Sequence, residues 1–293
     1  MTEVSNQFSD IIQALDAKAQ RIETDCGDGS MPFRIWRPQG HKPISDEVIV
    51  LLHGGSGSWT HWIRNIDVLS ANHEVIVPDL PGLGDAASLA TGYVPQDAAD
   101  CVADGLRKIL GERRYHLVAF SWGSVVGSLV AGGHAEQVKS LILVGPASMG
   151  KMPQRPSMQR LIPRTAEMTV DEIQAANREN LARLMLHNRE KVDDFAVYLQ
   201  VTNTQRARFK SPQFATGEYV LEGIKAATAP LLILYGEQDA SAVPNIAARE
   251  NNGRQARPDL TFEVHPQAGH WLQYESPDFF NQRCLAWVEQ HRA

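Results

Sequence analysis

The stretch Tyr115-His116-Leu117-Val118-Ala119-Phe120-Ser121-Trp122-Gly123-Ser124 decides both the fold and the chemistry that this sequence predicts. The apolar run before Ser121 predicts a strand, and the small residues after it predict a helix. A serine at so sharp a turn projects its hydroxyl above the edge of a sheet, where it can attack a carbonyl carbon. Ala119 and Gly123 are small enough for strand and helix to pack closely, although glycine is usual at both positions. An ordinary turn between a strand and a helix is the alternative interpretation.

Apolar runs on either side of this turn predict strands that are buried on both faces of a parallel sheet. These runs lie at 47–52, 74–78, 115–120, 140–144 and 230–235, with a weaker one at 260–264 and two short strands near 20–26 and 32–38. Helical patterns lie at 5–18, 59–71, 97–110, 122–133, 243–251 and 277–291. The alternation of strands and helices predicts an α/β fold with a doubly wound, mostly parallel sheet.

The region 147–228 breaks this alternation. It begins with closely spaced prolines and continues with helical patterns near 169–188 and 190–208. We expect a helical lid here, inserted between a first core part at 1–146 and a second at 229–293. The insertion has 12 Lys and Arg against 9 Asp and Glu, although the whole chain has a net charge of −6. A basic lid over an acidic body favours an anionic substrate with an apolar part, and a solvated helix surface is the alternative explanation.

Composition and charge exclude several classes of protein. The 293 residues are 43% apolar and 21% charged, which is typical of a globular protein with a sizeable core. The acidic balance argues against nucleic-acid binding. The sequence has no run of about 18 apolar residues, so no membrane span is expected. The N-terminus has no features of a secretory signal, and the three cysteines have no metal-ligand spacing. We therefore expect a cytoplasmic protein with no nucleic-acid or membrane partner.

A serine nucleophile needs a general base, and His270 is the best candidate among the ten histidines. Catalytic groups of a doubly wound sheet lie at the carboxyl ends of its strands, and His270 follows the strand predicted at 260–264. His265 lies nearer to that strand and is the rival, but Pro266 restricts its backbone to extended conformations. His116 lies at the opposite end of a strand and is expected to be structural.

The acid that orients the base should follow a strand and precede the histidine in the chain. The loop Gly236-Glu237-Gln238-Asp239 comes directly after the strand predicted at 230–235. Asp239 lies farther out on this loop and is our choice. We expect Glu237 to serve the turn or to support the site indirectly.

Oxyanion donors are expected from the glycine-rich segment Leu52-His53-Gly54-Gly55-Ser56-Gly57-Ser58. Glycines allow the backbone to come close to a substrate oxygen and to turn N–H groups toward it. We expect the N–H groups of Gly55 and Trp122 to bind the oxyanion, Gly54 to contact the substrate and His53 to organise the loop. The segment lacks the Lys-Ser/Thr of a phosphate-binding loop and the G-x-G-x-x-G spacing of dinucleotide-binding proteins.

The chain resembles the α/β-hydrolase superfamily over essentially its full length. The resemblance rests on the order Ser121, Asp239, His270 and on short motifs around these residues. The motifs are His53-Gly-Gly-Ser-Gly, Pro78-Asp79-Leu-Pro-Gly82-Leu-Gly84, Ser121-Trp-Gly123, Gly236-Glu-Gln-Asp239 and Gly269-His270-Trp271. The resemblance implies an α/β-hydrolase fold, a Ser-His-Asp triad, an oxyanion hole and a lid formed by the insertion.

One part of the chain resembles the meta-cleavage carbon–carbon hydrolases, which cleave vinylogous diketones. The similarity lies in Gly269-His270-Trp271-Leu-Gln273-Tyr-Glu275. That subfamily tends to have Asn at the position of Phe120, and it uses a lid arginine, for which Arg206 and Arg208 are candidates.

Another part resembles the proline iminopeptidases, through Ser121-Trp122-Gly123-Ser124 and the His53-Gly-Gly motif. Those enzymes have proline where this chain has Ser56, and their lids use acids to hold a substrate amine. A general carboxylesterase is therefore the favoured subfamily. Epoxide hydrolases and haloalkane dehalogenases are disfavoured, because they use an aspartate nucleophile where this chain has Ser121.

The expected function is hydrolysis of an ester, or a related acyl bond, of a small molecule through an acyl-enzyme. Phe120 and Trp271 are candidates for contact with the substrate, and no metal ion or organic cofactor is expected. A carbon–carbon or amide hydrolase is the alternative within the family. A lyase or perhydrolase on the same triad also stays open, and a small-ligand receptor on the same fold is the alternative from a different class.

Overall fold

A sheet of eight strands forms the centre of the protein, whose computed structural model describes residues 3–38 and 46–292. The strands are β1 (Gln20–Cys26), β2 (Gly29–Trp36), β3 (Val48–Leu52), β4 (Glu74–Pro78), β5 (Tyr115–Phe120), β6 (Val138–Val144), β7 (Leu231–Gly236) and β8 (Thr261–His265). Their order across the sheet is β1-β2-β4-β3-β5-β6-β7-β8. The pairs β1–β2 and β2–β4 are antiparallel and the other pairs are parallel. The predicted doubly wound, mostly parallel sheet is confirmed.

Helices cover both faces of this sheet. They are α1 (Glu3–Asp16), α2 (Ile66–Ser70), α3 (Pro95–Leu110), α4 (Trp122–Gly133), α5 (Val170–Asn180), α6 (Asp194–Arg206), α7 (Tyr219–Ala226), α8 (Ile246–Ala256), α9 (Leu272–Glu275) and α10 (Pro277–Gln290). Val50 and Leu52 of β3 join the apolar core under α3 and α4, whereas Ile49 and Leu51 join the core under α2 and α10. None of the described helices is long and apolar enough to cross a membrane.

The largest departure from the predicted elements is the helix expected at 59–71. The structure has only a 3₁₀ turn, Trp59–Trp62, and then the five-residue α2. Asn65 lies between them, buried, and its side-chain amide donates to the Gln273 carbonyl. This long-range bond ties the segment to another part of the chain, and local sequence patterns carry no sign of it.

The insertion between β6 and β7 contains α5, α6 and α7, of which α7 was not predicted. A π-helical turn, Leu181–Met185, continues α5, and a 3₁₀ turn lies at Ser211–Phe214. The segment after α6 contacts the loop after β4, since the backbone N–H of Arg208 donates to the Gly82 carbonyl. The division of the chain at 147 and 228 stays a prediction.

The strand order places the segments that follow β3 and β5 side by side. Leu52 at the end of β3 pairs with Ala119 near the end of β5, so the glycine-rich segment begins next to the Ser121 turn. From β3 the chain goes to β4 on one side, and β5 lies on the other side. Such a reversal opens a crevice at the carboxyl ends of the strands, where ligands bind in open α/β sheets.

His116 lies buried at the opposite end of the sheet, in β5. Its Nδ1 is 2.7 Å from Ser140 Oγ, and its Nε2 is 3.0 Å from Glu47 Oε2. Burial lowers the pKa of His116 to about 4, although Glu47 favours the charged form. In the unfolded chain His116 is exposed to water and regains its ordinary pKa of about 6.5. Between about pH 6.5 and pH 4 the unfolded chain therefore binds a proton at His116, whereas the folded protein does not. The free energy of unfolding therefore falls as the pH drops through this range.

A variant without this titration should be less sensitive to acid. We expect His116→Asn to lose about 1–2 kcal/mol less of its free energy of unfolding than the wild type between pH 6.5 and pH 5. Urea unfolding at a series of pH values measures the difference. Parallel pH profiles for the two proteins would contradict the assignment of a neutral, buried His116.

Candidate active site

Ser121 occupies a strained turn between β5 and α4. Its φ of 53° and ψ of −113° lie outside the backbone regions that residues other than glycine favour. The Ser121 N–H donates to the Val144 carbonyl of β6 at 2.9 Å, which ties the turn to the sheet. A Cβ on Gly123 would lie 2.5 Å from the Leu52 carbonyl oxygen and 2.6 Å from that of His53. Glycine at this position is therefore what allows α4 to begin so close to β3.

The departure at Ala119 is compensated on the facing helix. A Cβ on Gly127 of α4 would lie 2.8 Å from the Ala119 Cβ. Ala119 places a methyl group on the strand where the usual glycine has only a hydrogen atom. Gly127 has no side chain on the facing helix and leaves room for that methyl group. Strand and helix thus pack closely despite the substitution.

Adding a methyl group at Gly123 should disrupt this packing. Because the new Cβ meets backbone atoms that cannot rotate away, we expect Gly123→Ala to lower the free energy of unfolding by about 2–3 kcal/mol. Gly133→Ala at the end of the same helix is the control, since among the described residues no atom beyond its chain neighbours and its own helix backbone lies within 4 Å of the added Cβ. Urea unfolding of both variants tests the expectation, and equal stabilities would count against it.

The structure brings Ser121, His270 and Asp239 together in one chain of hydrogen bonds. The distance from Ser121 Oγ to His270 Nε2 is 2.9 Å, and that from His270 Nδ1 to Asp239 Oδ2 is 2.8 Å. His270 is 6% exposed and Asp239 is fully buried. The arrangement places a base within reach of the hydroxyl proton and a carboxylate within reach of the far side of the ring.

The Asp239 carboxylate is held by groups that sequence reasoning missed. Its Oδ1 accepts the Ser241 N–H at 2.9 Å and the Ser241 hydroxyl at 2.7 Å, which leaves Oδ2 for His270. Burial opposes ionisation, but His270, Ser241 and Arg249 outweigh it and hold the pKa of Asp239 below its ordinary value. The carboxylate is therefore charged and fixed in orientation. Its spacing from Ser241 is that of an Asx turn, a signal that could have revealed this residue.

The loop that carries His270 is tied to the insertion through Glu275. The buried Glu275 carboxylate accepts the Gly269 N–H at 2.7 Å, and it also accepts the N–H groups of His187 at 3.1 Å and Asn188 at 2.6 Å. One side chain thus joins the residue before His270 to the middle of the insertion. The position of the insertion and that of the His270 loop are mechanically linked.

The rival residues lie away from this cluster. The His265 ring stacks on Phe279, with 3.9 Å between the ring centroids, and among the described residues it makes no hydrogen bond to Ser121. Glu237 is exposed, and the contacts of its carboxylate are with the Gln238 side chain at 3.5 Å and the Gln267 N–H at 3.4 Å. The geometry therefore joins Asp239 and His270, and not these neighbours, to the serine.

The glycine-rich segment lies directly against Ser121. A Cβ on Gly54 would lie 3.3 Å from the Ser121 Cβ and 2.9 Å from the Phe120 ring. A Cβ on Gly55 would lie 3.6 Å from the Trp122 Cβ. Within the described part of the chain, the N–H groups of Gly55 and Trp122 have no hydrogen-bond partner. Both groups are available to bind an oxygen of a substrate.

Two buried histidines hold this segment, and sequence reasoning identified only one of them. His53 Nε2 accepts the Leu80 N–H at 2.9 Å, so its Nδ1 carries the proton and donates to the Gly54 carbonyl at 2.8 Å. His61 Nδ1 accepts the Gly54 N–H at 3.2 Å. Burial lowers the pKa of His53 and holds that of His61 well below its ordinary value. Both rings are therefore neutral, as their acceptor roles require.

The side chains predicted to contact the substrate lie in a buried aromatic group beside Ser121, His270 and Asp239. Phe120 and Trp271 are fully buried. The Phe120 ring centroid is 5.0 Å from that of His270, and the Trp271 ring stacks on Tyr274 at 4.2 Å. Trp271 Nε1 donates to the His61 carbonyl at 3.0 Å. These contacts fix both residues, and their role in binding a substrate stays a prediction.

Residues of the insertion pack over the Ser121 turn on the side of Trp122. The Trp122 ring lies 4.9 Å from Phe209 and 5.8 Å from Phe214, centroid to centroid. Ser211, between them, lies so close to Gly55 that its Oγ would be 2.0 Å from an added Cβ. Sequence reasoning missed Ser211, since nothing in the local pattern places it near the glycine-rich segment.

The two candidate lid arginines are engaged elsewhere. Arg206 Nη1 pairs with Asp85 Oδ1 at 2.9 Å. The Arg208 guanidinium donates to the Ala86 carbonyl and to that of Gly84. Both side chains bind the loop after β4.

Comparison with known proteins identifies related sequences. The profile of the alpha/beta hydrolase family matches residues 49–283. A 2-hydroxy-6-oxononadienedioate/2-hydroxy-6-oxononatrienedioate hydrolase of Paraburkholderia phymatum is 27% identical over 270 residues, which cover 83% of this chain and 88% of the relative.

Solved structures share the architecture along nearly the whole chain. A carboxylesterase from Bacillus subtilis superimposes with a TM-score of 0.72 at 19% identity, covering 98% of this chain and 99% of that one. A meta-cleavage product hydrolase from Pseudomonas fluorescens IP01 superimposes with a TM-score of 0.71 at 20% identity, covering 89% and 94%. At these identities the likeness concerns the fold alone.

Proposed function

Because the chain belongs to the alpha/beta hydrolase family, we propose that it hydrolyses an ester, or a related acyl bond, of a small molecule through Ser121, His270 and Asp239. The observation that carries the proposal is the unbroken chain of hydrogen bonds from the Ser121 hydroxyl through the His270 ring to the Asp239 carboxylate. A serine hydroxyl is a weak nucleophile until a base takes its proton, and this chain supplies the base and its orienting acid.

In the first half of the reaction, Ser121 Oγ attacks the carbonyl carbon of the substrate while His270 Nε2 takes the hydroxyl proton. The charged Asp239 stabilises the cation that forms on His270. The substrate oxygen becomes an oxyanion, which the free N–H groups of Gly55 and Trp122 bind. His270 then gives its proton to the leaving alcohol, and the acyl group stays on Ser121.

In the second half, a water molecule takes the place of the alcohol. His270 accepts a proton from the water as it attacks the acyl carbon, and the same two N–H groups bind the second oxyanion. The acid leaves and the Ser121 hydroxyl is restored. Every proton in this cycle passes through His270, so the reaction requires no group beyond the residues named.

We also propose that the insertion serves as a lid over the acyl site. The packing of Phe209 and Phe214 on Trp122 supports this role, as does the contact of Ser211 with Gly55. An apolar cover excludes water from the oxyanion and accommodates an apolar acyl group.

An uncharged ester is favoured over the dienoate substrates of the carbon–carbon hydrolases. The relative from Paraburkholderia phymatum acts on dicarboxylates, as its name states, which favours a carbon–carbon hydrolase as the second candidate. The engagement of Arg206 and Arg208 within the protein counts against a carboxylate-binding lid. Two other insertion arginines, Arg178 and Arg183, likewise pair with acidic side chains.

A substrate panel tests the proposal. The wild type is given p-nitrophenyl esters of acetate, butyrate and hexanoate, a 2-hydroxy-6-oxo-dienoate and prolyl p-nitroanilide, with Ser121→Ala as the control for background hydrolysis. We expect kcat/KM for the best ester to exceed that for the dienoate and the anilide by about 100-fold or more.

Two outcomes would overturn this assignment. Preferred turnover of the dienoate would make the protein a carbon–carbon hydrolase. No turnover of any of these compounds, combined with tight binding of a small ligand that Ser121→Ala retains, would make it a receptor.

A further inference from the structure

His61 has a ring that is almost fully buried beside the triad, yet the reaction as described does not use it. A Cβ on Gly57 would lie 2.1 Å from the ring, so glycine is required there to make room for it. The ring also packs edge-on against Phe120, at 5.5 Å, and lies 5.0 Å from Trp271. These contacts leave the ring one position, in which its Nδ1 faces the Gly54 N–H at 3.2 Å.

The oxyanion segment needs such a partner because it is made of glycines. A glycine backbone rotates more freely than any other, so Gly54 and Gly55 do not hold one geometry by themselves. An oxyanion hole stabilises a transition state only when its donors already point at the oxygen, without reorganisation during the reaction. Something outside the segment must therefore fix its two peptide planes.

His53 and His61 fix one plane each. A trans peptide directs its C=O and its N–H to opposite sides. His53 holds the Gly54 carbonyl at 2.8 Å, so the Gly55 N–H of the same plane points away from His53. His61 holds the Gly54 N–H, which belongs to the preceding plane. Rotation at Gly54 would break one bond or the other.

We propose that His61 is a positioning residue for the oxyanion hole, which holds the Gly54 N–H and thereby keeps the Gly55 N–H directed at the substrate oxygen. This inference rests on the proposed function, because it assigns His61 a part in the same acyl chemistry. His61 acts through Gly54 and does not exchange protons with the substrate. Its acceptor atom is what matters, so a different acceptor at the same place should substitute for it.

The test compares two variants that differ in that acceptor. His61→Leu introduces an apolar side chain of similar size that has no acceptor. His61→Asn has an acceptor, Oδ1, which is bonded to Cγ as Nδ1 is in histidine. His73→Leu is the matched control, a buried histidine before β4 and outside the site. The readouts are kcat and KM for the best ester, the rate of Ser121 labelling by a fluorophosphonate, inhibition by an aryl trifluoromethyl ketone, and thermal unfolding.

We expect His61→Leu to lower kcat by about 10- to 100-fold with KM changed by less than about threefold, a smaller loss than removal of a donor itself. Labelling and ketone affinity should fall in parallel, because the phosphoryl oxygen of the phosphonate and the hemiketal oxyanion of the ketone both bind the N–H groups of Gly55 and Trp122. His61→Asn should recover kcat to within about fivefold of the wild type, because it restores an acceptor for the Gly54 N–H. His73→Leu should leave ester hydrolysis, Ser121 labelling and ketone inhibition unchanged.

The proposal is overturned if folded His61→Leu keeps wild-type kcat and ketone affinity, or if His61→Asn is as impaired as His61→Leu. Should His61→Leu fail to fold, His61→Ala removes the same acceptor and is compared with His61→Asn in its place. A wild type that labels but hydrolyses no ester refutes the proposed function alone, since the labelling rates and ketone inhibition still decide the role of His61. A wild type that does neither refutes both.

Discussion

Ser121→Ala is expected to lower kcat for the best ester by about 10⁶-fold, which is the scale of loss when the nucleophile of a serine triad is removed. The variant keeps the free N–H groups of Gly55 and Trp122, so water can still attack a bound ester slowly. KM should change little, because the hydroxyl contributes to the transition state more than to binding. Stopped-flow or initial-rate kinetics with p-nitrophenyl esters measure the loss of kcat.

The fold should survive this substitution. Alanine has the same Cβ as serine, so the positive φ of residue 121 is no more strained in the variant than in the wild type. Ser128→Ala is the matched control, since Ser128 is a buried serine of α4 whose hydroxyl donates only to the Val125 carbonyl within its own helix. If both variants retained full activity, Ser121 would not be the nucleophile.

Asp239→Asn is expected to lower kcat by about 10⁴-fold, and the reason lies in the partners of Oδ1. Ser241 donates two hydrogen bonds to Oδ1, from its N–H and its hydroxyl. An asparagine would therefore direct its carbonyl oxygen to Ser241 and its NH₂ group to His270. His270 Nδ1 would then be an acceptor and Nε2 would carry the proton, so that the ring could not take the proton of Ser121.

Glu237→Gln is the matched control for this variant. It makes the same change of carboxylate to amide two residues earlier in the same loop, at an exposed side chain. We expect its kcat to lie within about twofold of the wild type, as is usual for a surface substitution. Equal losses in both variants, or a loss of less than about tenfold in Asp239→Asn, would contradict the proposed role of Asp239.

The sheet could be predicted from the sequence because its signals are local. The central strands are largely apolar runs between turn residues, as in Val48–Leu52 and Leu231–Gly236, and burial on both faces leaves few polar positions to obscure the pattern. The same locality explains why Ser121, Asp239 and His270 could be chosen. Each comes just after a strand, so the rule that places ligands at the carboxyl ends of strands was enough to select them.

Glu275 and Ser211 could not be predicted as supporting residues because their partners are distant in sequence. Glu275 binds N–H groups 87 and 88 residues away, and the contact of Ser211 with Gly55 spans an even longer gap. His61 is close to Gly54 in the chain, but its role depends on a ring orientation that Phe120 and Trp271 impose. Patterns within a window of residues contain no information about such packing.

Covalent labelling tests the central claim, that Ser121 is an activated nucleophile, most directly. The wild type and Ser121→Ala are treated with a fluorophosphonate, and the adduct is located by mass spectrometry of the intact protein and of its peptides. We expect a single adduct on the wild type, at Ser121, and none on the variant. An adduct at another residue, or equal labelling of the variant, would contradict it.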